Sequence, residues 1–418
     1  MKVAILGAGF TGLTAAYRLL QKGHDVSIFE KESELGGLAV GFKSPKWQWT
    51  LEKGYHHWFT NDTFILNLAR EINHKVIIKR PSTDILVKGK TLPLDNALSL
   101  LSFPHLPLID KIRMGIIIFY LKQINNYKTL EGKEASSWIR KWMGEKNFSL
   151  IWDPLLGGKF SEYKNQIALT WFWARIKKRT PKLAYPEGGF KIFADKLGAE
   201  IEKLGGQFYL NTVITELKSS NSKCQIVANN KTYGFDKIIV TLPSPIFTKI
   251  AKGLPKSYIS KITSIAHLHA QVLILILKRP FMKKTYWLNI TDKSFPFLVL
   301  AEHTNFMDPK NYGNQHILYI GNYLPVDHPY LKMSKKQLLR KFLPYLKKIN
   351  SRFSIIDYQL FVAPFAQPIV TIDYPKLIPS FKTPLKNIYL ANLDMVYPWD
   401  RGTNYAVELG ETVAKTAD

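Results

Sequence analysis

The chain has 418 residues and is 46% hydrophobic, 13% aromatic and 22% charged, which excludes wholesale disorder and a collagen-like fold and suggests two or three domains at about 150 residues each. A single cysteine, Cys224, excludes an internal disulfide and any cysteine-based zinc or iron–sulfur site. The 58 Lys+Arg against 32 Asp+Glu give a net charge of +26, which admits nucleic acid, an anionic membrane surface or a phosphorylated substrate, and equally a lysine-rich solvated surface.

The first residues carry the most information. Val3-Ala4-Ile5-Leu6 leads into Gly7-Ala8-Gly9-Phe10-Thr11-Gly12 and then an apolar run over 13–20. Four apolar residues followed at once by glycines do not make a signal peptide. They predict a buried parallel strand, a tight turn and a helix, and a strand starting at residue 2 leads us to expect an uncleaved, cytoplasmic chain. In such a turn Gly7 permits the bend, Gly9 lets backbone approach a pyrophosphate and Gly12 lets helix and strand pack closely. The helix N-terminus offers N–H groups and partial positive charge to the phosphates. A second predicted strand over 25–29 ends in Glu30, 18 residues after Gly12, placed to accept from ribose hydroxyls and opposed to a 2′-phosphate, which argues against NADP. Six residues further on, Gly36-Gly37 suits a flavin lying extended over the sheet, or an ordinary turn. Phe10, Thr11, Lys31 and Leu38 lie among these positions and join the candidate cofactor set.

Further along, Gly54-Tyr55-His56-His57-Trp58-Phe59 sets two histidines beside aromatics. Residues 92–124 are mostly apolar with Lys111, Arg113 and Lys122 set among them. This composition suits a lipid headgroup region or an ordinary pair of core helices. Five tryptophans, Trp138, Trp142, Trp152, Trp171 and Trp173, mark a helix-like, aromatic stretch. Within it, Trp152-Asp153-Pro154-Leu155-Leu156-Gly157-Gly158-Lys159-Phe160 reads as a loop facing a cleft, where Lys159 could steer an anionic substrate, or as a helix–helix turn. Arg175-Ile176-Lys177-Lys178-Arg179 could meet lipid or a diphosphate, or end a solvated helix. An amphipathic helix is predicted after Pro186-Glu187-Gly188-Gly189-Phe190, followed by short strands up to Pro243. Gln271-Val272-Leu273-Ile274-Leu275-Ile276-Leu277 is a buried strand, far short of the roughly 20 residues that cross a bilayer. No spacing of His, Asp or Glu suggests a metal, and no motif supports nucleic-acid binding. The last block, from Asn387 through Tyr405 to Gly410, predicts a strand, a loop and a helix.

Gly7-x-Gly9-x-x-Gly12, Glu30 and Gly36-Gly37, followed by the 186–243 unit and the C-terminal block, resemble the superfamily of FAD-dependent amine oxidases, protoporphyrinogen oxidases and phytoene desaturases. The resemblance implies FAD as cofactor and an α/β fold: a Rossmann-like FAD-binding domain (a parallel sheet with a β-meander) interleaved with an α+β substrate domain. We expect the first over 1–80, 186–255 and 380–418, and the second over 81–185 and 256–379. It further implies that Val213 meets the adenine, and that Asn392, Gly402, Thr403, Asn404, Tyr405 and Ala406 line the flavin. The family more often has Gly-Glu where Ala391-Asn392 stands. The His56–His57 segment would pass over the ring, where a histidine can donate a hydrogen bond or shuttle a proton. Arg401 sits in the same block without an assigned role, and with His56, His57 and Lys159 makes the candidate catalytic set.

A flavin takes a hydride from a carbon held about 3–3.5 Å from N5, so the protein's part is to position and shield. The lysine of the amine oxidases has no convincing counterpart, since Lys278 lies beyond the candidate strand. Three readings stand. The leading one is an oxidoreductase acting on a lipophilic, isoprenoid- or porphyrin-like substrate. The second is a non-redox isomerase resembling UDP-galactopyranose mutase, with Arg175 and Arg179 gripping a diphosphate. The third is a non-catalytic dinucleotide-binding protein. The expected partner is a lipophilic or phosphorylated small molecule, with no nucleic acid, and with peripheral contact at the inner membrane face left open. No feature specifies an oligomeric state.

Overall fold

The computed structural model describes residues 1–219 and 223–418. The strand Lys2–Leu6 lies at the centre of a five-stranded sheet, in the order Gln207–Tyr209, Asp25–Phe29, Lys2–Leu6, Lys237–Val240 and Ile388–Leu390. Every pairing is parallel. Parallel strands are covered on both faces, which is why these segments read as unbroken apolar runs. Val3 and Ile5 pack toward the helices Phe10–Gln21, Phe190–Lys203 and Thr403–Ala417. Ala4 and Leu6 pack the other way, with Phe29, against Leu217, Ile226 and Phe235. The last three belong to an antiparallel meander of Ile214–Ser219, Cys224–Ala228 and Lys231–Phe235.

A second sheet of seven strands is mixed. Its order is Ile355–Pro368, His267–Leu277, His316–Leu324, Val299–Glu302, Thr285–Ile290, Ser82–Val87 and Lys90–Pro93, and only the pairing of Thr285–Ile290 with Ser82–Val87 is parallel. Leu273, Leu275 and Leu277 pack with Leu338 and Phe342 of the helix Lys335–Ile349. Val272, Ile274 and Ile276 join the core shared with the first sheet, the alternation that a period of two demands. A separate core gathers the helices Leu108–Gln123, Ala135–Met143, Asp153–Phe160 and Leu169–Lys178. Neither reading of 152–160, a loop facing a cleft or a helix–helix turn, holds: the stretch is helical, Asp153–Phe160 continuing directly from the wider turn Phe148–Trp152, with Pro154 at the junction. Among the described residues no helix is long and apolar enough to cross a membrane.

Two close backbone approaches set the frame. A Cβ on Gly12 would stand 2.0 Å from the carbonyl oxygen of Gly7. One on Gly410 would stand 2.6 Å from the carbonyl oxygen of Thr11, where the helices Phe10–Gln21 and Thr403–Ala417 pack. These helices run parallel, with Arg18 Nη2 2.7 Å from Glu411 Oε1 and His24 Nε2 2.7 Å from Asp418 Oδ1. Gly410→Ala should therefore push the two helices apart and cost about 1–3 kcal/mol, read as a lower urea midpoint at unchanged slope. An unshifted midpoint would show that this contact does not set the helix spacing.

Candidate active site

The first part of the site is built by the carboxyl ends of the parallel strands, the edge at which open α/β sheets bind ligands. Leu6 runs into Gly7, whose φ of +107° only glycine adopts readily, and Gly9 caps the helix Phe10–Gln21 without any side-chain cap. Its first N–H groups thus remain for a ligand. The second glycine pair lies alongside: Gly36 N–H donates to Ala8 O at 2.9 Å, and Gly9 and Gly36 form an isolated bridge. A Cβ placed on Gly9 would meet Gly37 Cα at 3.8 Å, and one on Gly37 would stand 2.9 Å from Gly9 Cα, so the two glycine loops lie backbone against backbone and leave the space ahead of the helix start for a phosphate. Glu30 accepts from Ala8 N–H at 2.8 Å and Glu32 N–H at 3.0 Å, which fixes one carboxylate beside that space. Because Gly410 packs over Thr11 to Ala15, the start of the helix Thr403–Ala417 lies a few residues further out than Phe10, roughly 3–9 Å at 1.5 Å per residue. Two helix N-termini, one behind the other, suit an elongated anionic cofactor. These residues fit FAD.

The cofactor candidates divide by position. Gly7, Gly9, Phe10, Thr11, Gly12, Glu30, Gly36 and Gly37 are brought together as described. Lys31 is largely exposed and 3.1 Å from Glu32, and Leu38 and Val213 are about half exposed. Asn392 is buried, its amide donating to Leu242 O and Ser244 Oγ at 3.0 Å and its carbonyl accepting from Asp394 N–H. Asn404 is buried too, its side chain accepting from Ile65 N–H at 3.2 Å. Thr403 Oγ1 accepts from Trp58 Nε1 at 2.7 Å, tying the His56–His57 segment to the second helix start, where Gly402, Tyr405 and Ala406 also lie.

The second part is a cleft between the two sheets and the helical region. Glu52 anchors its floor: its carboxylate accepts from Tyr185 OH and from Phe190 N–H at 2.8 Å, and its carbonyl from Tyr319 OH at 2.9 Å. Burial pushes this carboxyl up to about 7, against those hydrogen bonds. After it come Tyr55, His56 and His57. His56 Nδ1 donates to Gly54 O at 2.7 Å, and His57 Nδ1 is 3.0 Å from Tyr286 OH. Burial lowers His56 to about 4, and burial with the nearby Arg179 lowers His57 to about 3, so both rings stay neutral at physiological pH.

Across the cleft stands Asp400, the organising charge. Arg175 Nη1 lies 2.5 Å from its Oδ2, Trp171 Nε1 donates to Oδ1 at 3.1 Å, and Lys159 Nζ is 3.5 Å away. Burial works to raise the Asp400 carboxyl, but Lys159 and Arg175 more than offset it and hold it at about 2. Lys159 is pushed well below its usual value by burial first, with Asp400 opposing and the charges of Arg175 and Arg401 adding to the lowering. Its ammonium stands over the rings of Trp171 and Tyr323 at 4.9 and 5.2 Å. Arg401 also lies over Tyr323, at 4.9 Å, and donates to Gln367 Oε1 at 2.9 Å. Arg401 and Arg179 are both lowered to about 10, by burial first and then by Arg175. Arg179 is exposed to solvent and Arg401 half-buried, so burial bears harder on Arg401. The four candidate catalytic residues thus gather in one region: Arg401 lies near His56, and Arg401 and the buried Lys159 share the ring of Tyr323. Asp400, Trp171, Tyr286 and Tyr323 were not foreseen, because a counter-ion or ring wall assembled from distant segments has no local pattern. The sequence signal for Asp400 was only its place beside Arg401.

Comparison with known proteins gives the family and the fold. The sequence profile of the flavin-containing amine oxidoreductases matches residues 10–417. Coproporphyrinogen III oxidase of Staphylococcus aureus is 25% identical over 291 residues, 59% of this chain and 61% of that protein. The zeta-carotene desaturase of Zea mays is 23% identical over 179 residues, 37% of this chain and 31% of that one. The chain thus spans less than two thirds of the length of these relatives. Among solved structures, reduced UDP-galactopyranose mutase superposes with a TM-score of 0.79 at 16% identity, covering 99% of this chain and 94% of that one, a likeness of fold.

Two outcomes test the site. Glu30→Ala removes the carboxylate that orders the first glycine loop and faces the ribose, and should raise the Kd for FAD roughly tenfold or more while the apoprotein stays folded; full flavin occupancy in the variant would refute this placement. Glu52 bears on stability. Its folded pKa of about 7 lies above the ordinary 4.5, so its contribution is complete at the acid end and is lost as pH rises through about 7. Glu52→Gln, which stays neutral, should lack this loss. The stability of the wild type relative to the variant should then fall between pH 4.5 and 7, and parallel profiles would contradict the shift.

Proposed function

The chain belongs to the flavin-containing amine oxidoreductases, with FAD as cofactor, and from that premise we propose that it oxidises a substrate with an apolar body and anionic groups, as a carboxylated porphyrinogen has. When bound, FAD supplies the two-electron acceptor for a hydride from the substrate. The observation that carries the reading is the charge of the cleft. Arg175, Arg179, Arg401 and Lys159 converge there, against Asp400 and, beside Arg179, Asp95. Arg175 satisfies Asp400, which leaves Arg401 and Arg179 for a ligand. Desolvating a cation without a full counter-charge is costly, a cost that falls on the half-buried Arg401, and an anionic substrate relieves it. A protonated amine would add to it, and a neutral polyene would leave it standing. Aromatic rings supply the apolar part: Tyr55 and Trp287 are partly exposed, and the buried Trp171 and Tyr323 back the cations. His57, neutral and hydrogen-bonded to Tyr286, adds no positive charge of its own and can offer a hydrogen bond to a ligand.

The same cations favour one other reading, an isomerase of a sugar diphosphate that acts without net electron transfer. Arg175 and Arg179 stand four residues apart at the end of one helix, and two guanidinium forks suit a diphosphate. Anaerobic mixing separates the readings. A carboxylated porphyrinogen should bleach the oxidised flavin, and a neutral polyene precursor should do so far more slowly. Arg179→Gln should raise KM for the anionic substrate about tenfold or more with a smaller change in kcat. Conversion of a nucleotide sugar without flavin bleaching would establish the isomerase instead, and faster reduction by the neutral polyene would overturn the anionic reading.

A further inference from the structure

The helix Leu108–Gln123 buries only Met114 and Leu121. Leu108, Ile109, Ile112, Ile116, Phe119 and Tyr120 are exposed, Ile109 to 75% and Phe119 to 66%. At about 100° per residue these six fall within an arc of roughly 120°, opposite Met114 and Leu121. Arg113 borders the arc on one side, and Lys111 and Lys122 on the other. The apolar stripe extends sideways: Leu98 and Leu101 of the helix Ala97–Leu101 are 78% and 48% exposed, and Trp142 is 47% exposed. The Arg113 guanidinium donates to the carbonyls of Trp142 and Lys141, holding that tryptophan beside the stripe. Between the helices lies a groove of about 880 Å³ lined by Ile116, Ile117, Tyr120, Trp138 and Trp142. So much contiguous apolar surface is not left in water without a use.

We propose that this face seats the protein on an anionic lipid bilayer, with the helix Leu108–Gln123 lying in the headgroup plane and its stripe reaching into the acyl boundary. Charge decides the occupant. Residues 97–147 hold eight Lys and Arg against four Asp and Glu, in a chain of net charge +26. A second copy would set two basic rims against each other, whereas anionic headgroups neutralise them. A basic rim, an apolar stripe and Tyr and Trp at the border between them are what an interfacial helix requires. Sixteen residues of helix, interrupted by charges, span about 24 Å and lie flat rather than cross. The helix also packs on Leu169–Lys178, which carries Trp171 and Arg175 into the cleft, and Lys177 Nζ donates to Lys122 O at 2.6 Å. The membrane face is therefore one helix away from the cleft, a short path for an amphipathic substrate partitioned in lipid.

Sedimentation of the full-length, FAD-loaded protein with vesicles tests this. Binding to vesicles containing phosphatidylglycerol should exceed binding to pure phosphatidylcholine and weaken with salt. The double variant Ile109→Glu/Phe119→Glu should bind at least tenfold more weakly, with Tm, flavin content and turnover of a dissolved substrate unchanged, because both side chains point into solvent. Three results would overturn the proposal: no wild-type binding at low salt, equal binding by the double variant, or a wild-type dimer that the double variant converts to monomer.

Discussion

The site depends on how closely backbone can approach backbone at the edge of the parallel sheet. Gly12 lets the first helix start directly beneath the carbonyl of Gly7, and Gly410 lets the last helix lie against the first. Each contact replaces a side chain with van der Waals distance between main chains. The sum is two parallel helices whose N-termini are staggered along one line. That stagger gives an extended cofactor one positive dipole end for its phosphates and a second further out. Trp58, bonded to Thr403, then ties the segment carrying His56 and His57 to the second helix start, so the cleft floor inherits its position from the same packing.

Above this frame the cleft is governed by a shortage of negative charge. Asp400 is shared by Arg175, at 2.5 Å, Trp171 and Lys159, the two cations together holding it ionised. Lys159 is left over aromatic rings with its ammonium disfavoured, and Arg401 is satisfied only by Gln367 and the face of Tyr323. A buried cation paired with dipoles and rings is held less firmly than one paired with a carboxylate. Basic side chains thus outnumber acidic ones around Asp400, with aromatic rings packed among them. The exposed stripe on Leu108–Gln123 and this cleft share the helix Leu169–Lys178, so the cation-rich interior and the basic, apolar exterior are two sides of one helical layer.

The glycine loops, Glu30 and the strand–helix order were legible because each is a local device: a bend, a close approach or an acid at a strand end needs a given residue type at a given spacing, whatever surrounds it. Those constraints determined the fold class, the family and the cofactor. The buried strand over 271–277 was legible for a similar reason, as seven apolar residues in a row have few other uses. Three things escaped. Asp400 and Glu52 are ordinary carboxylates in sequence, and became a counter-ion and a floor anchor only when helices and strands more than a hundred residues away closed around them. The stretch over 152–160 reads equally as loop or turn, because Gly and Pro are compatible with both, and neighbouring helices decided in favour of helix. The stretch over 108–123 has apolar residues on both sides, so periodicity alone could not say which side meets the core. Packing against Leu169–Lys178 and Ala135–Met143 chose Met114 and Leu121 for the interior and left the wider stripe outside. Sequence by itself determined what must bend, approach and bind phosphate, since those demands act over a few bonds. Only the tertiary structure decided where unpaired charge and unburied surface remain, because both are differences between a residue and all of its neighbours.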